Sequence, residues 1–140
     1  LGDIYVPSKG LHALSFFSRD EGFPSSVHSV VCGDRHSLAL TSDGDCYFWG
    51  WSVFHGHTLP EPVDVGHGPD LVNVTSMACA TDVSIFLLED GSVWSTKRGD
   101  TETRFATEAH RVQFHGMNYP LDIGAAQWSY YALVQNKESA

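Results

Sequence analysis

Short runs of apolar residues, separated by turn-forming residues, recur along this chain. The clearest set consists of Ser29–Cys32, Ser37–Thr41 and Cys46–Trp49. The pair Asp43-Gly44 separates the second run from the third, and Asp-Gly between apolar runs is a strong hairpin signal because a type I′ turn needs positive φ at both central residues. No stretch keeps helical periodicity over ten residues. The pattern therefore predicts short antiparallel strands.

The same pattern returns further along the chain. Residues 77–96 repeat residues 30–49 at a shift of 47, with five of the twenty positions identical. A further shift of 46 reaches residues 123–137, which keep little beyond the apolar skeleton, and residues 2–6 resemble the start of the third run. The chain therefore holds about three repeat lengths, cut inside a unit at both ends. We expect it to be part of a larger protein.

Each repeat unit has room for a fourth, weaker strand, which fits Pro62–Val65 in one copy and Arg111–Phe114 in the next. Four short strands in a unit of about 47 residues predict propeller blades or a related all-β array. We expect a single all-β region that divides into a partial blade, two repeats and a partial repeat: 1–26, 27–73, 74–119 and 120–140.

One segment, residues 32–51, has a specific pattern, C-G-D-R-H-S-L-A-L-T-S-D-G-D-C-Y-F-W-G-W. It resembles a repeat of the regulator of chromosome condensation family, whose pattern is roughly C-G-x-x-H-S-L-A-L-T-x-D-G-x-V-Y-x-W-G-W. The second copy departs from this pattern, since Val83 replaces the His and Thr96-Lys97 replaces Trp-Gly.

The resemblance implies a seven-bladed propeller. Seven units of this length need more than about 300 residues, and this chain has 140. We therefore expect the blades that are missing here to be supplied by the rest of the chain or by another chain.

The turns between strands are the candidate binding elements, because strands in a propeller are committed to packing. Repetition of the unit places the turn between the first two strands of every blade on one face. The candidate binding residues come from these turns: Asp34, Arg35, Thr81, Asp82, Gln127 and Trp128.

The resemblance implies a role for two of these residues, Asp34 and Asp82. The resemblance implies that, in family members that act as exchange factors on a Ran-like GTPase, acidic residues in these turns form part of the surface that contacts the GTPase. Asp34 and Asp82 lie in such turns. The alternative is that each Asp only bonds its own backbone in the turn. Trp128 is either an aromatic anchor for a partner or a ring that packs beneath its own blade.

Other reactive side chains are expected to be structural. We expect His36 to be buried and bonded to neighbouring backbone, and the shared register of Cys32 and Cys79 favours packing over reactivity. Three histidines on one Gly/Pro-rich loop form a weak zinc candidate that we do not adopt, because no Cys or acidic ligand is fixed nearby. They are His55, His57 and His67. Enzyme motifs are absent from the sequence, so we predict no catalytic residue, no metal site and no cofactor.

The composition of the chain limits the kinds of molecule that it is expected to bind. The chain has 8 Lys+Arg against 17 Asp+Glu, a formal net charge of −9, which argues against direct nucleic-acid binding by this segment. No apolar run approaches the roughly 20 residues of a membrane span. Three cysteines without a C-x-x-C pair favour a reducing, intracellular location, cytoplasmic or nuclear.

These observations predict a protein-binding scaffold rather than an enzyme, working through the turns on one face of a partial propeller. Two alternatives remain open. One is guanine-nucleotide exchange on a Ran-like small GTPase. The other is a structural subunit whose open blade edges lock into a larger assembly, since unpaired strand edges invite pairing with other chains.

Overall fold

The computed structural model describes residues 14–52, 56–57, 59–65, 70–81, 83–96, 108–114, 118–127 and 129–136. Within these ranges the chain forms three largely antiparallel sheets, preceded by two short 3-10 turns, Ser15–Phe17 and Arg19–Glu21. The prediction of an all-β fold is therefore confirmed. None of the helical segments in the described ranges is long and apolar enough to cross a membrane.

The first sheet is built on a three-strand meander. Its strands are β1 (Val27–Cys32), β2 (His36–Thr41) and β3 (Cys46–Ser52), each antiparallel to the next. Two short strands, β4 (Gly56–His57) and β5 (Glu61–Pro62), both pair with β3. The three predicted apolar runs thus become three neighbouring strands.

The second sheet repeats this meander and adds a strand from Pro62–Val65, the segment predicted as the fourth strand of the first repeat. Only Glu61–Pro62 pairs within the first sheet, so that prediction is wrong for Asp64 and Val65. Its strands are β6 (Asp64–Val65), β7 (Val74–Cys79), β8 (Ser84–Leu88), β9 (Val93–Thr96) and β10 (Glu108–Arg111), in the order β6-β10-β9-β8-β7. The β6–β10 pair is parallel. A strand that follows the first sheet in sequence therefore completes the second sheet in space.

The fourth strand of this sheet lies earlier than the sequence pattern indicated. It covers Glu108–Arg111, whereas Arg111–Phe114 was predicted. The apolar alternation of Val112 and Phe114 suggested a strand, but these side chains instead contribute to the core beside the third sheet. The third sheet is a hairpin of β11 (Asn118–Ala126) and β12 (Ser129–Asn136).

The backbone repeats its irregularities at the spacing found in the sequence. Each first strand has a bulge at the equivalent place, namely Val27/Ser29, Val74/Ser76 and Pro120/Asp122. The two Asp-Gly turns also match, because Gly44 and Gly91 have φ values of +87° and +83°. Neither Asp43 nor Asp90 has a positive φ, so the expectation of a type I′ turn is wrong. Glycine is required at these two positions, since side chains disfavour a left-handed backbone.

The apolar core lies in two joints between neighbouring sheets. The first joint, between the first and second sheets, contains the larger buried cluster, which includes Leu38, Leu40, Phe48, Met77 and Phe86. The second joint, between the second and third sheets, buries Ile85, Val93 and Ile123, with smaller partly buried neighbours such as Ala78 and Ala132.

The two outermost sheet faces of the described arc are much more exposed than their internal equivalents. Val30 on β1 is 54% exposed, whereas Met77, its equivalent on β7, is 8% exposed. Tyr131 on β12 is 61% exposed, whereas Ile85 on β8 is 1% exposed. These faces therefore carry apolar side chains of the kind that each internal joint buries.

An aromatic cluster covers part of the outer face of the first sheet. The rings of Phe16, Phe17 and Phe23 each lie 5.5–5.7 Å from the ring of Tyr47. Phe17 also lies 5.6 Å from Trp49. The segment before β1 thus packs against β3 through edge and tilted ring contacts, which are favourable beyond the area they bury.

Candidate protein-binding site

The turns that the sequence singled out lie side by side and are hydrogen-bonded to one another. The backbone N–H of Asp34 donates to the Thr81 carbonyl at 3.1 Å, and the backbone N–H of Thr81 donates to the Gln127 carbonyl at 2.9 Å. The Thr81 hydroxyl donates to the same Gln127 carbonyl. The turns at residues 33–35, 80–81 and 127, which we call the turn row, thus form one continuous edge.

The turn row presents polar side chains to solvent. Asp34, Arg35 and Gln127 are exposed and Thr81 is half-buried. Asp82 and Trp128 lie outside the described residues.

Short backbone bonds close the first two turns in the same way. The N–H of Gly33 donates to the His36 carbonyl at 2.8 Å, and the N–H of Ala80 donates to the Val83 carbonyl at 2.8 Å. Because the two turns share this bond, each carries its next residue, Asp34 or Thr81, at the same place on the edge. The first two turns of the row are therefore built alike.

A buried imidazole ties the first repeat to the second behind the turn row. His36 is 4% exposed, its Nε2 hydrogen-bonds the Ser84 hydroxyl at 2.9 Å, and its ring stacks on Phe48 with centroids 5.4 Å apart. We expected burial, but the hydroxyl partner from the next repeat was missed. Ser84 is identical to Ser37 at the shift of 47, and that identity was the available signal.

Two glycines make room for this arrangement. A Cβ at Gly33 would lie 2.2 Å from the His36 ring and 2.6 Å from the Ala80 carbonyl oxygen. A Cβ at Gly50 would lie 2.3 Å from the Arg35 carbonyl oxygen. The glycines of the twenty-residue pattern therefore permit close packing behind the turn row.

Cys46 and Cys79 pack in the structure and are poorly placed for reaction, whereas Cys32 is exposed, contrary to the expectation that it packs. Burial raises the pKa of both Cys46 and Cys79 to about 12, so neither is a thiolate at neutral pH. The Cys46 thiol donates to the Met77 sulfur at 3.5 Å within the first joint. Cys32 is exposed and lies 3.5 Å from the Ser37 hydroxyl.

The opposite ends of the strands carry the Asp-Gly turns and are acidic. Burial, and then the carboxylates of Asp43 and Asp70, raise the pKa of Asp45. In the second turn the hydroxyl and backbone N–H of Ser92 both donate to Asp90, which lowers the pKa of that carboxyl. The two ends of the sheets therefore differ in chemistry.

No described group of three or more His, Cys, Asp or Glu side chains is arranged to hold a metal ion. Of the three loop histidines, His55 and His67 lie outside the described residues, and the side chain of His57 does too.

The chain is similar to proteins of one repeat family. The family described as "Regulator of chromosome condensation (RCC1) repeat" matches residues 27–55. The ultraviolet-B receptor UVR8 of Arabidopsis thaliana is 34% identical over 105 residues, which cover 71% of this chain and 22% of that protein. The RCC1-like G exchanging factor-like protein of Mus musculus is 34% identical over 98 residues, covering 66% of this chain and 20% of its own length.

Solved structures show the same fold. Human WBSCR16 matches with a TM-score of 0.64 at 21% identity, over 81% of this chain and 32% of that structure. Prp20p of Saccharomyces cerevisiae, whose structure was reported with its binding properties to Gsp1p and histones, matches with a TM-score of 0.56 at 18% identity, over 82% of this chain and 33% of that structure. The chain thus spans about a fifth of these curated relatives and about a third of these structures.

Proposed function

We propose that this chain, which is built of regulator of chromosome condensation repeats, is a protein-interaction scaffold that binds its partner through the turn row. One observation carries the proposal: consecutive turns are joined by hydrogen bonds from Asp34 to Thr81 and from Thr81 to Gln127. Side chains on turns that are tied in this way are held at fixed spacing, which lowers the entropy cost of binding. Candidate contacts are the six residues predicted from the sequence.

The surface chemistry favours a protein partner. The turn row displays Asp34, Arg35 and Gln127, which offer an acceptor, a multiple donor and an amide within one edge. The net charge of −9 disfavours a polyanion such as nucleic acid. We place such a scaffold in the cytoplasm or nucleus, in keeping with its unpaired cysteines.

Affinity capture with matched variants tests the scaffold proposal. The chain carrying Asp34→Ala and Arg35→Ala should lose partners that the unaltered chain retains from an extract. A control with Asp43→Ala and Glu89→Ala, at the Asp-Gly ends of the sheets, should retain them. Equal capture by both variants would exclude the turn row as the binding surface.

Guanine-nucleotide exchange on a Ran-like GTPase is the second candidate. It is favoured by the similarity to an RCC1-like G exchanging factor-like protein and by the exposed acid at Asp34. A parent-length protein should accelerate release of labelled nucleotide from such a GTPase, and Asp34→Ala with Asp82→Ala should slow that release. No acceleration on any GTPase tested would remove this candidate and leave the scaffold proposal standing.

A structural role in a larger assembly is the third candidate. It is favoured by the exposed apolar side chains Val30, Tyr131 and Leu133 on the outermost sheet faces. In that case the isolated chain should aggregate or stay unfolded without its partners. A monodisperse monomer that unfolds cooperatively would count against this role.

A further inference from the structure

We propose that Ser42, on the first Asp-Gly turn, is a phosphorylation site for an acid-directed serine kinase. This turn joins β2 to β3 and lies at the opposite end of the sheets from the turn row, so a phosphate there leaves the turn row uncovered. Three features support the site: the exposure of the side chain, the acidic residues that follow it, and the acid at the equivalent place in the next repeat.

Ser42 stands at the tip of a well-closed hairpin and is exposed. The N–H of Thr41 donates to the Asp45 carbonyl at 2.9 Å, and the N–H of Gly44 donates to the Thr41 carbonyl at 3.1 Å. The Ser42 hydroxyl lies 3.1 Å from the hydroxyl of Ser25, which is buried. A phosphate oxygen can accept from Ser25 in place of the hydroxyl, so modification leaves that buried donor with a partner.

Carboxylates follow Ser42 closely along the chain. Asp43 and Asp45 stand one and three positions after it, and residues 36–96 contain no Lys or Arg. A kinase whose substrate groove is basic selects such a segment by charge, whereas a kinase whose groove is acidic is repelled by it. The class of kinase that fits Ser42 is therefore an acid-directed one.

The second repeat carries a permanent acid at the equivalent position. Glu89 corresponds to Ser42 at the shift of 47, and it is exposed as well. The N–H of Ser42 donates to the Ser26 carbonyl at 2.8 Å. The N–H of Glu89 donates to the Asn73 carbonyl at the same distance. The hairpin thus accommodates an anionic side chain at its tip, and phosphoserine, with a charge of about −1.5 to −2, should be accommodated there too.

A phosphate at Ser42 would lie beside other negative charges. Burial, and then the carboxylates of Asp43 and Asp70, raise the pKa of Asp45. Further negative charge on the same turn repels a carboxylate whose charged form is already disfavoured, and such repulsion loosens a segment. Because the turn is at the surface, salt should screen this repulsion. Phosphorylation is therefore expected to weaken the first Asp-Gly turn without unfolding it.

The phosphoryl transfer needs ATP as its only co-reactant. The Ser42 Oγ attacks the γ-phosphorus of ATP, the Oγ–P bond forms, and the bond from that phosphorus to the β–γ bridging oxygen breaks. ADP leaves, and the hydroxyl proton passes to the catalytic aspartate of the kinase. The turn gains a phosphomonoester and loses one proton.

Incubation of the folded 140-residue chain with casein kinase 2 and ATP tests the site. Mass spectrometry should find phosphate on Ser42, formed faster than any on Ser18, which is also followed by acids but is half-buried and precedes Arg19. Ser42→Ala should remove this phosphate. An unmodified Ser42 in the folded chain would overturn the proposal.

A charge-removing variant tests the recognition. Asp45→Asn should slow phosphorylation of Ser42 about tenfold, as expected for one lost contact to a charged group. The turn should persist in this variant, because the bond to the Thr41 hydroxyl uses the backbone N–H of residue 45. The matched control is Glu61→Gln, an exposed acid on β5, which should leave the rate unchanged. Equal rates for Asp45→Asn and the unaltered chain would also overturn the proposal.

Urea unfolding of the phosphorylated chain tests the equivalence with Glu89. Phosphorylation should lower the folded-to-unfolded ratio about two- to fivefold at low salt, the range of exposed charge interactions. The difference should shrink in about 0.5 M NaCl, and Ser42→Glu should show the same salt dependence. Loss of cooperative folding on phosphorylation, or a destabilisation that salt leaves unchanged, would contradict the equivalence and overturn the proposal.

Discussion

Substituting Gly33 by alanine should destabilise the protein, although a Gly→Ala substitution at a position without positive φ usually stabilises a protein. Gly33 is not among the glycines with positive φ. A Gly→Ala change at a compatible backbone position normally stabilises by about 0.4–1 kcal/mol, because it restricts the unfolded chain. Here the new methyl group would meet the His36 ring at 2.2 Å and the Ala80 carbonyl at 2.6 Å.

The expected magnitude follows from these contacts. Overpacking of a close-packed site costs about 1–3 kcal/mol. Displacing the His36 ring also removes its bond to Ser84, which costs about another 1 kcal/mol. We therefore expect Gly33→Ala to lower the free energy of unfolding by about 2–4 kcal/mol, a large part of the stability of an ordinary domain.

Urea denaturation followed by tryptophan fluorescence and circular dichroism measures this difference. The matched control is Ala80→Gly, the reverse change at the equivalent position of the second repeat, where Val83 replaces the imidazole. It should cost no more than about 1 kcal/mol. Adding His36→Val to Gly33→Ala should recover part of the loss, since the ring is then absent. A neutral or stabilising Gly33→Ala would refute the packing argument.

Three further predictions concern the core, a thiol and a carboxylate. Phe86→Ala should lower the free energy of unfolding by about 3–5 kcal/mol, whereas Val30→Ala, at an exposed position, should change it by less than about 1 kcal/mol in the same denaturation assay. Cys46 should resist iodoacetamide at pH 8 while Cys32 reacts, as read by mass spectrometry, because burial raises the Cys46 pKa to about 12; equal labelling would contradict this. Asp90 has a folded-state pKa below its ordinary value of 3.8, so its contribution to stability is present above that pH and is lost as the pH falls through the lowered pKa. Asp90→Asn should accordingly destabilise the chain at pH 7, and the difference from the unaltered chain should shrink as the pH falls below 3.8, as measured by urea unfolding.

Local patterns in the sequence were sufficient to predict the meander of each repeat. Apolar runs and Asp-Gly pairs are short-range signals, and they located β1 to β3 and their turns. The parallel pairing of β6 with β10 was not predictable in this way, because it joins Asp64 and Val65 to residues more than forty positions away and each strand is only a few residues long. Pairing of such short strands is decided by the surrounding packing and not by their own composition.

The candidate site, too, was predictable from the sequence only in part. Repetition alone was enough to place Asp34, Thr81 and Gln127 on one face, and the structure adds that they are hydrogen-bonded neighbours. The partner of His36 was missed because a serine hydroxyl gives no local signal of what it will bond. Only the alignment of Ser37 with Ser84 hinted that this position had a shared role.

The bonds along the turn row have a consequence for how such a chain can change in length. The turn at Thr81 gives its amide to the following turn, at Gln127, and takes an amide from the preceding turn, at Asp34. These hydrogen bonds all run in one direction along the chain, and the bond pattern does not itself set the number of turns that it joins. Duplicating or deleting one whole repeat would therefore leave the turn amides between the two ends with a carbonyl partner. The edge proposed to bind a partner could thus be lengthened with the same turn-to-turn hydrogen bond.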